Sequence, residues 1–283
     1  MKISGVTYRH PFANTTGGTG AGGQVLSGRS FQFDGVADRV ACDAAAAANT
    51  LDWDGVKRWT VSCWFKDPST AYATLWSMCP TIPGANRFLE IASYYSGGVG
   101  RIRLQARSSS TNFLTIAGAT PSGGAGFIEI RSTDPNGIDP NDGNWHNVVL
   151  TVNSALGQVD GTKVYLNGLL AGKTTNDPAE TNTFDFLKVG CRVQTNNTVF
   201  GPFFPGRCFR FSIYDGELSA AEVAAIYNGG QPVDERALTP APLNFYRFGN
   251  GDYLFPVVKD YGTGGADGLA VNMIPGDIVG DAP

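Results

Sequence analysis

The segment from Ser132 to Asn144, STDPNGIDPNDGN, carries the densest set of side chains able to do chemistry. Asp134, Asn136, Asp139, Asn141 and Asp142 offer carboxylate and amide oxygens within one loop. A calcium ion takes about six to eight oxygen ligands, so this loop is a candidate metal site. Its spacing is not that of an EF-hand, because Gly137 stands two places too early after Asp134. Asp34 and Asp38 form a second acidic pair. The same residue types also bond to their own backbone in Asx turns, and that reading outweighs the metal.

Other reactive constellations are thin. Glycoside hydrolysis needs two carboxylates flanking the bond, about 5–9.5 Å apart. Glu90 in FLEI and Glu129 in FIEI each stand alone in strand-like segments and read as solvated or paired surface groups. There are two histidines, His10 and His146, and no Ser or Cys is spaced with either to suggest a triad. The five cysteines show no CxxC or Cys/His ligand spacing and read as reduced core thiols, with Cys191 and Cys208 placed to face each other across neighbouring strands. Gly18 to Gly23 matches GxGxxG, but the flanks lack the strand and helix that a dinucleotide site needs, so the stretch reads as a linker. Aromatic side chains remain. Trp76, Tyr94, Tyr95 and the FGPFF loop with Phe200, Phe203 and Phe204 could form a glycan or protein contact surface. Trp59 and Trp64 read as core.

The elements that must position these residues are strands. In Asn144 to Gly172, the apolar series His146/Val148/Leu150/Val152 alternates with Asn147/Val149/Thr151/Asn153, which predicts a strand with one buried and one solvated face. Asn167-Gly168 predicts a type I′ hairpin turn. RWTVSCWFK (58–66), Thr74–Met78, Arg87–Tyr95, RIRLQAR (101–107), Phe113–Ala117, Phe127–Arg131, Phe184–Arg192, Arg207–Tyr214 and LNFYRF (243–248) read as further strands. The cations of RIRLQAR would protect an edge against pairing. Ala44 to Ala48 reads as a helical turn capped by Asp43. Ser219 and Glu222 form a capping box that starts a helix over about Ala220 to Asn228, ended by Gly229-Gly230.

Bulk composition narrows the class. Over 283 residues, 37 glycines and 16 prolines with only 16% charged residues point to many short strands rather than helices. A net charge of −4 without a Lys/Arg run argues against nucleic acid or an anionic membrane as partner. The apolar runs are too short to span a bilayer. The opening MKISGVTYRHPF has no apolar core of the signal-peptide kind, which predicts synthesis in a cytoplasm without Sec secretion.

Several stretches, in this order and spacing, resemble the laminin-G-like, concanavalin-A-like lectin/glucanase family: SFQFDGVADRV (30–40), RWTVSCWFK (58–66), GNWHNVVLTV (143–152), VYLNG (164–168), FLKVG (186–190) and FPGRCFRFSIYDGELSAAEVAAIYNGG (204–230). The resemblance implies an all-β fold, a two-sheet antiparallel jelly-roll sandwich with one short helix near 220–228. It implies a domain over 29–283, including a return strand and tail at 243–283, preceded by an arm and Gly-rich linker over 1–28. The stretch 243–273 would supply a strand beside Ser30–Asp34. Hydrolases of this superfold carry an ExDxxE strand, which this chain lacks, so the resemblance implies no enzyme. Relatives bind calcium through an acidic pair where this chain has Phe209 and Arg210, which weakens the family site.

The segment 243–273, with Asp277-Ile278-Val279, also resembles laminin-G-like proteins of tailed bacteriophage particles. On that resemblance the expected function is a non-enzymatic virion structural protein, a capsid decoration or head-fibre protein. Its partners would be capsid or other virion proteins and further copies of itself. The alternative is a carbohydrate-binding lectin or adhesion module, calcium-assisted or not, with host-surface glycans as ligands.

Overall fold

The computed structural model describes residues 28–49, 51, 57–81, 88–107, 127–134, 138–154, 161–173, 184–194, 197–249 and 255–283. In chain order they form β1 (Ser30–Gln32), β2 (Arg39–Ala41), α1 (Asp43–Asn49), β3 (Arg58–Lys66), β4 (Ala73–Cys79), β5 (Phe88–Ser96), β6 (Val99–Arg107), β7 (Phe127–Arg131), β8 (Trp145–Asn153), β9 (Thr162–Leu166) and β10 (Leu169–Lys173). There follow β11 (Phe186–Val189), β12 (Arg192–Gln194), β13 (Thr198–Phe200), β14 (Arg207–Tyr214), α2 (Ala220–Tyr227), β15 (Asn244–Arg247), β16 (Val257–Val258), β17 (Gly268–Val271) and β18 (Ile278–Val279). The expected arm 1–28, apart from Gly28, and the expected strand at 113–117 lie outside the described residues.

Two antiparallel sheets carry the fold. The first runs β10-β9-β8-β3-β14-β1-β18, and the second β16-β17-β2-β11-β4-β5-β6-β7. The all-β sandwich expected from the sequence is the observed architecture. The period-2 patterns explain why the sheets face each other. Trp59, Val61, Cys63 and Phe65 of β3 pair in register with Val152, Leu150, Val148 and His146 of β8, so one continuous apolar face forms. All eight side chains are buried. Facing them are Trp76, Leu89, Ile91, Ile102, Leu104 and Ile128 of the second sheet. Each fully buried large apolar side chain contributes about 1.5–3 kcal/mol.

The Asn167-Gly168 turn has φ of 51° and 77°, the type I′ geometry expected between β9 and β10. The Ser219/Glu222 capping box starts α2, and Asn228, at φ 45°, ends it one residue before Gly229. Asp43 departs from its expected capping role. It is the first residue of α1, and its carboxylate accepts from Leu187 N (3.1 Å) and Lys188 Nζ of β11 instead.

The polar face of β8 also departs from expectation. Asn147, Thr151 and Asn153 are buried. A second layer, made of α2 and the strap at 231–242, lies over this side of the first sheet. Trp64 stacks on Tyr227 of α2 at 5.8 Å, and Asn147 Nδ2 donates to Ser62 Oγ (3.0 Å). The thiol beside Cys208 is Cys63 rather than Cys191, and all five cysteines are buried and unbridged.

The return segment closes the first sheet in two places. β15 and β1 share the free edge of β14 end to end, with Phe211 opposite Tyr246 and Cys208 opposite Phe31. The strand lying beside β1 is β18, with Ser30 opposite Val279, rather than one from 243–273.

Candidate functional site

The Asx-rich loop spends its oxygens locally. Asp134 Oδ2 accepts from Arg131 N (2.7 Å), and Asp139 Oδ1 from Asn141 N (3.0 Å). Asp142 Oδ1 accepts from Asn144 N (2.7 Å) and lies 2.9 Å from His146 Nε2. Asn141 Nδ2 donates to Asp67 Oδ2 (3.1 Å) and Ser69 O (3.2 Å). Asn136 lies outside the described residues. Asp34 Oδ1 caps three successive amides, Val36, Ala37 and Asp38. Among the described residues no group of three His, Cys, Asp or Glu side chains is placed to hold a metal ion.

His146 has an acid neighbour that its place in the sequence did not announce. Asp142 lies at Nε2, and Asn167 Nδ2 lies 3.0 Å from Nδ1, so both ring nitrogens are engaged. Burial opposes ionisation of Asp142, yet the bonds from His146 and Asn144 hold its carboxyl below the usual range. The imidazole packs against Phe65, so this pair anchors the loop to β8.

The aromatic candidates separate. Trp76 is in the core, edge-on to Phe211 at 6.2 Å. Phe204 is buried against Phe33. Phe203 is half-buried, and the side chain of Phe200 lies outside the described residues. Tyr95 is exposed at the end of β5. Tyr94 is half-buried on the outer face of the second sheet, where it joins a network the sequence did not reveal.

That network is built from alternate residues of β5, β6 and β7. Arg101 pairs in register with Tyr94 and Arg131, and Arg103 with Glu129, so all five side chains share the outer face. Glu129 is 2% exposed and accepts from Arg101 Nη1 (2.6 Å), Arg103 Nη2 (2.9 Å), Arg131 Nε (2.9 Å) and the Tyr94 hydroxyl. Burial works against its charge, but the bonds from Tyr94, Arg103 and Arg131 and the charge of Arg101 outweigh it. They hold the carboxyl at about 2.

A second carboxylate lies alongside. Glu90 is fully buried and accepts from Arg192 Nε (2.8 Å) and Nη2 (2.6 Å), Tyr72 Oη (2.8 Å) and Thr74 Oγ1 (2.9 Å). Arg192 comes from the β12–β13 hairpin, which is fastened over β4 by Ser77. The Ser77 hydroxyl donates to Cys191 O (2.9 Å) and accepts from Val193 N (2.7 Å).

The surface layer above these carboxylates is guanidinium and phenol. The Tyr72 and Tyr94 rings lie 5.4 Å apart. Arg103 sits over Tyr94 at 4.8 Å and over Phe127 at 4.2 Å, and Arg192 over Phe88 at 5.1 Å. Four guanidinium groups face two buried carboxylates, so this patch is positive on a chain of net charge −4. Glu90 and Glu129 are paired, as expected, but buried rather than solvated. Both are saturated by donors, so neither is free to act as acid or nucleophile. The cations of β6 do not guard an edge, because β7 pairs beyond them. The matched alternation of RIRLQAR and FIEIR was the signal that could have found the network.

No helix among the described residues is long and apolar enough to cross a membrane. No curated protein matches the chain in sequence. Among solved structures, the heptameric SAP-like pentraxin of Limulus polyphemus shares the fold at 13% identity and TM-score 0.51, covering 72% of this chain and 83% of its own. The CBM40 of the Ruminococcus gnavus IT-sialidase, solved with alpha2,6 sialyllactose, aligns at 16% identity and TM-score 0.47, covering 71% and 99%. Domains LG4-5 of the mouse laminin alpha1 chain align at 13% and 0.41, covering 74% and 46%.

These findings correct the expectation of a phage capsid decoration or head-fibre protein. The family matched over residues 35–224 is one of lectins and glucanases, which favours the lectin reading given as the alternative. The Laminin_G_3 family model matches residues 35–224, and the chain belongs to the concanavalin A-like lectin/glucanases superfamily.

Proposed function

We propose that the chain is a non-catalytic carbohydrate-binding module that receives its ligand on the outer face of β5, β6 and β7. The observation that carries this reading is the half-exposed Tyr72/Tyr94 pair set among Arg101, Arg103, Arg131 and Arg192. A sugar has an apolar C–H face and a rim of hydroxyls. Phenol rings suit the first, and guanidinium N–H groups suit the second.

The donors are pre-oriented. Glu129 and Glu90 hold the guanidinium groups in place from below, so little side-chain freedom is lost on binding. The surplus of positive charge favours sugars bearing a carboxylate or sulfate over neutral ones. The chain's net negative charge keeps this preference local, and family membership supports the reading.

A glycan array tests it. The folded chain should retain acidic oligosaccharides, and Tyr94→Ala should lose them while still folding, with a thermal transition lowered by the lost bond to Glu129. A folded chain that retains no glycan would remove the proposal. The donors of this reading are the tyrosines and arginines of β5, β6 and β7 and their neighbours rather than the Asx-rich loop, so chelation should leave retention unchanged.

A further inference from the structure

A second anion-binding arrangement lies on the first sheet, in a row of side chains across four of its strands. Trp145, Lys66, Arg207 and Gln32 stand in one row across β8, β3, β14 and β1. Lys66 is opposite Trp145, Arg207 opposite Lys66, and Gln32 opposite Arg207. Directly opposed like charges destabilise a strand pair. Here an anion relieves them. Asp281 Oδ2 accepts from Lys66 Nζ (3.0 Å) and from Arg207 Nη1, while Oδ1 accepts from Trp145 Nε1 (3.3 Å).

Two of the three donors, Arg207 and Trp145, are oriented by groups other than Asp281. Arg207 Nε donates to Gln32 Oε1 (2.6 Å), and Gln32 Nε2 donates in turn to Phe33 O (3.1 Å) and Gly206 O (3.3 Å). The Trp145 ring stands edge-on to Phe209 at 6.1 Å. The arginine and indole sides of the cradle are therefore shaped without its occupant. The occupant arrives on the segment 278–283, whose only strand is the two-residue β18 paired with β1. Solvent reaches all three partners, with side-chain exposures of 28% for Lys66, 32% for Arg207 and 29% for Asp281.

We propose that Trp145, Lys66 and Arg207 form a carboxylate-binding site, separate from the tyrosine–arginine face, that Asp281 occupies until an external carboxylate displaces it. An indole N–H, an ammonium and a guanidinium edge converging on one carboxylate fit a uronic acid or the side chain of an acidic peptide. A tethered occupant competes at an effective concentration in the millimolar range, so a free carboxylate meets a weakened site in the native chain.

The test is a titration followed by Trp145 fluorescence, with D-glucuronate in one arm and an acetylated, amidated peptide bearing one aspartate in the other. Trp145→Phe, which removes both the fluorophore and one donor of the site, should abolish the signal. The proposal expects Asp281→Asn to bind at least one of the two about tenfold or more tighter than the native chain. The arm that binds tighter names the source of the carboxylate. Lys66→Met added to Asp281→Asn should abolish the gain. Folding is checked by thermal melting, and Asp281→Asn, near-isosteric at a solvent-reached position, is expected to fold. Absence of saturable binding of either probe to folded Asp281→Asn, or affinity equal to that of the native chain, overturns the proposal. These outcomes leave the glycan-face reading untouched, because that reading depends on Tyr94 rather than Trp145.

Discussion

Arg103 and Glu129 stand opposite each other in register on β6 and β7, and their side chains close a 2.9 Å ion pair on the outer face of the second sheet. Tyr94 joins the pair from the third strand, donating to Glu129 and accepting from Arg103 Nη2 at 2.7 Å. The fold thus converts strand register into a fixed array of donors beside an aromatic ring.

Removing Glu129 should cost stability because three guanidinium groups would lose their shared counterion. Glu129→Gln is expected to destabilise the chain by about 2–4 kcal/mol, the lower part of the range reflecting partly exposed arginines. Chemical denaturation of the two proteins at neutral pH measures the difference.

The same carboxylate sets a pH dependence. Its folded value, about 2, lies below its ordinary 4.5. The unfolded chain therefore takes up a proton first as pH falls. The stabilisation is complete above about pH 5, declines from about pH 4.5 and is gone below about pH 2. Thermal unfolding across this range should show the native chain losing stability toward acid faster than Glu129→Gln.

Where the strap at 231–242 meets the first sheet, Arg210 and Glu235 are both buried, and Tyr214 Oη donates to Glu235 Oε2 at 2.6 Å. Burial pulls the Arg210 guanidinium down to about 10 and pushes the Glu235 carboxyl up. Glu235→Ala removes both the acceptor of the Tyr214 hydroxyl and the carboxylate that most favours the Arg210 charge, and should cost more than loss of the hydroxyl alone. Tyr214→Phe should cost about 1–3 kcal/mol through the lost hydroxyl bond. Urea unfolding of both variants checks the order.

Ser219→Ala removes one half of the capping box at the start of α2. The expected loss is about 1 kcal/mol. Because α2 covers the polar side of β3 and β8, hydrogen exchange should rise first at Asn147 and Thr151 rather than in the core between the sheets.

Periodicity made the sandwich legible, since β3 and β8 each wrote their buried face in alternate residues. It could not say what covers the opposite face, so Asn147 and Thr151 read as solvated although α2 and the strap bury them. Trp76 shows a different limit. Thr74 faces outward to Glu90, and strict alternation would send Trp76 the same way. A bulge between Thr74 and Trp76 shifts the register and turns the indole into the core. The Arg/Glu network was hidden because its members come from strands separated by a long connection, and register across that connection is set by packing.

The most direct measurement is a calorimetric titration of the folded chain with two oligosaccharides that differ only by one carboxylate, at low and at physiological ionic strength, beside Tyr94→Ala and Arg131→Gln. The proposed face predicts saturable binding that is tighter for the acidic member and weaker at higher salt. It also predicts a loss of about tenfold or more in Tyr94→Ala and a smaller, charge-selective loss in Arg131→Gln. Binding of neither oligosaccharide, or binding unaltered by both substitutions, would contradict it.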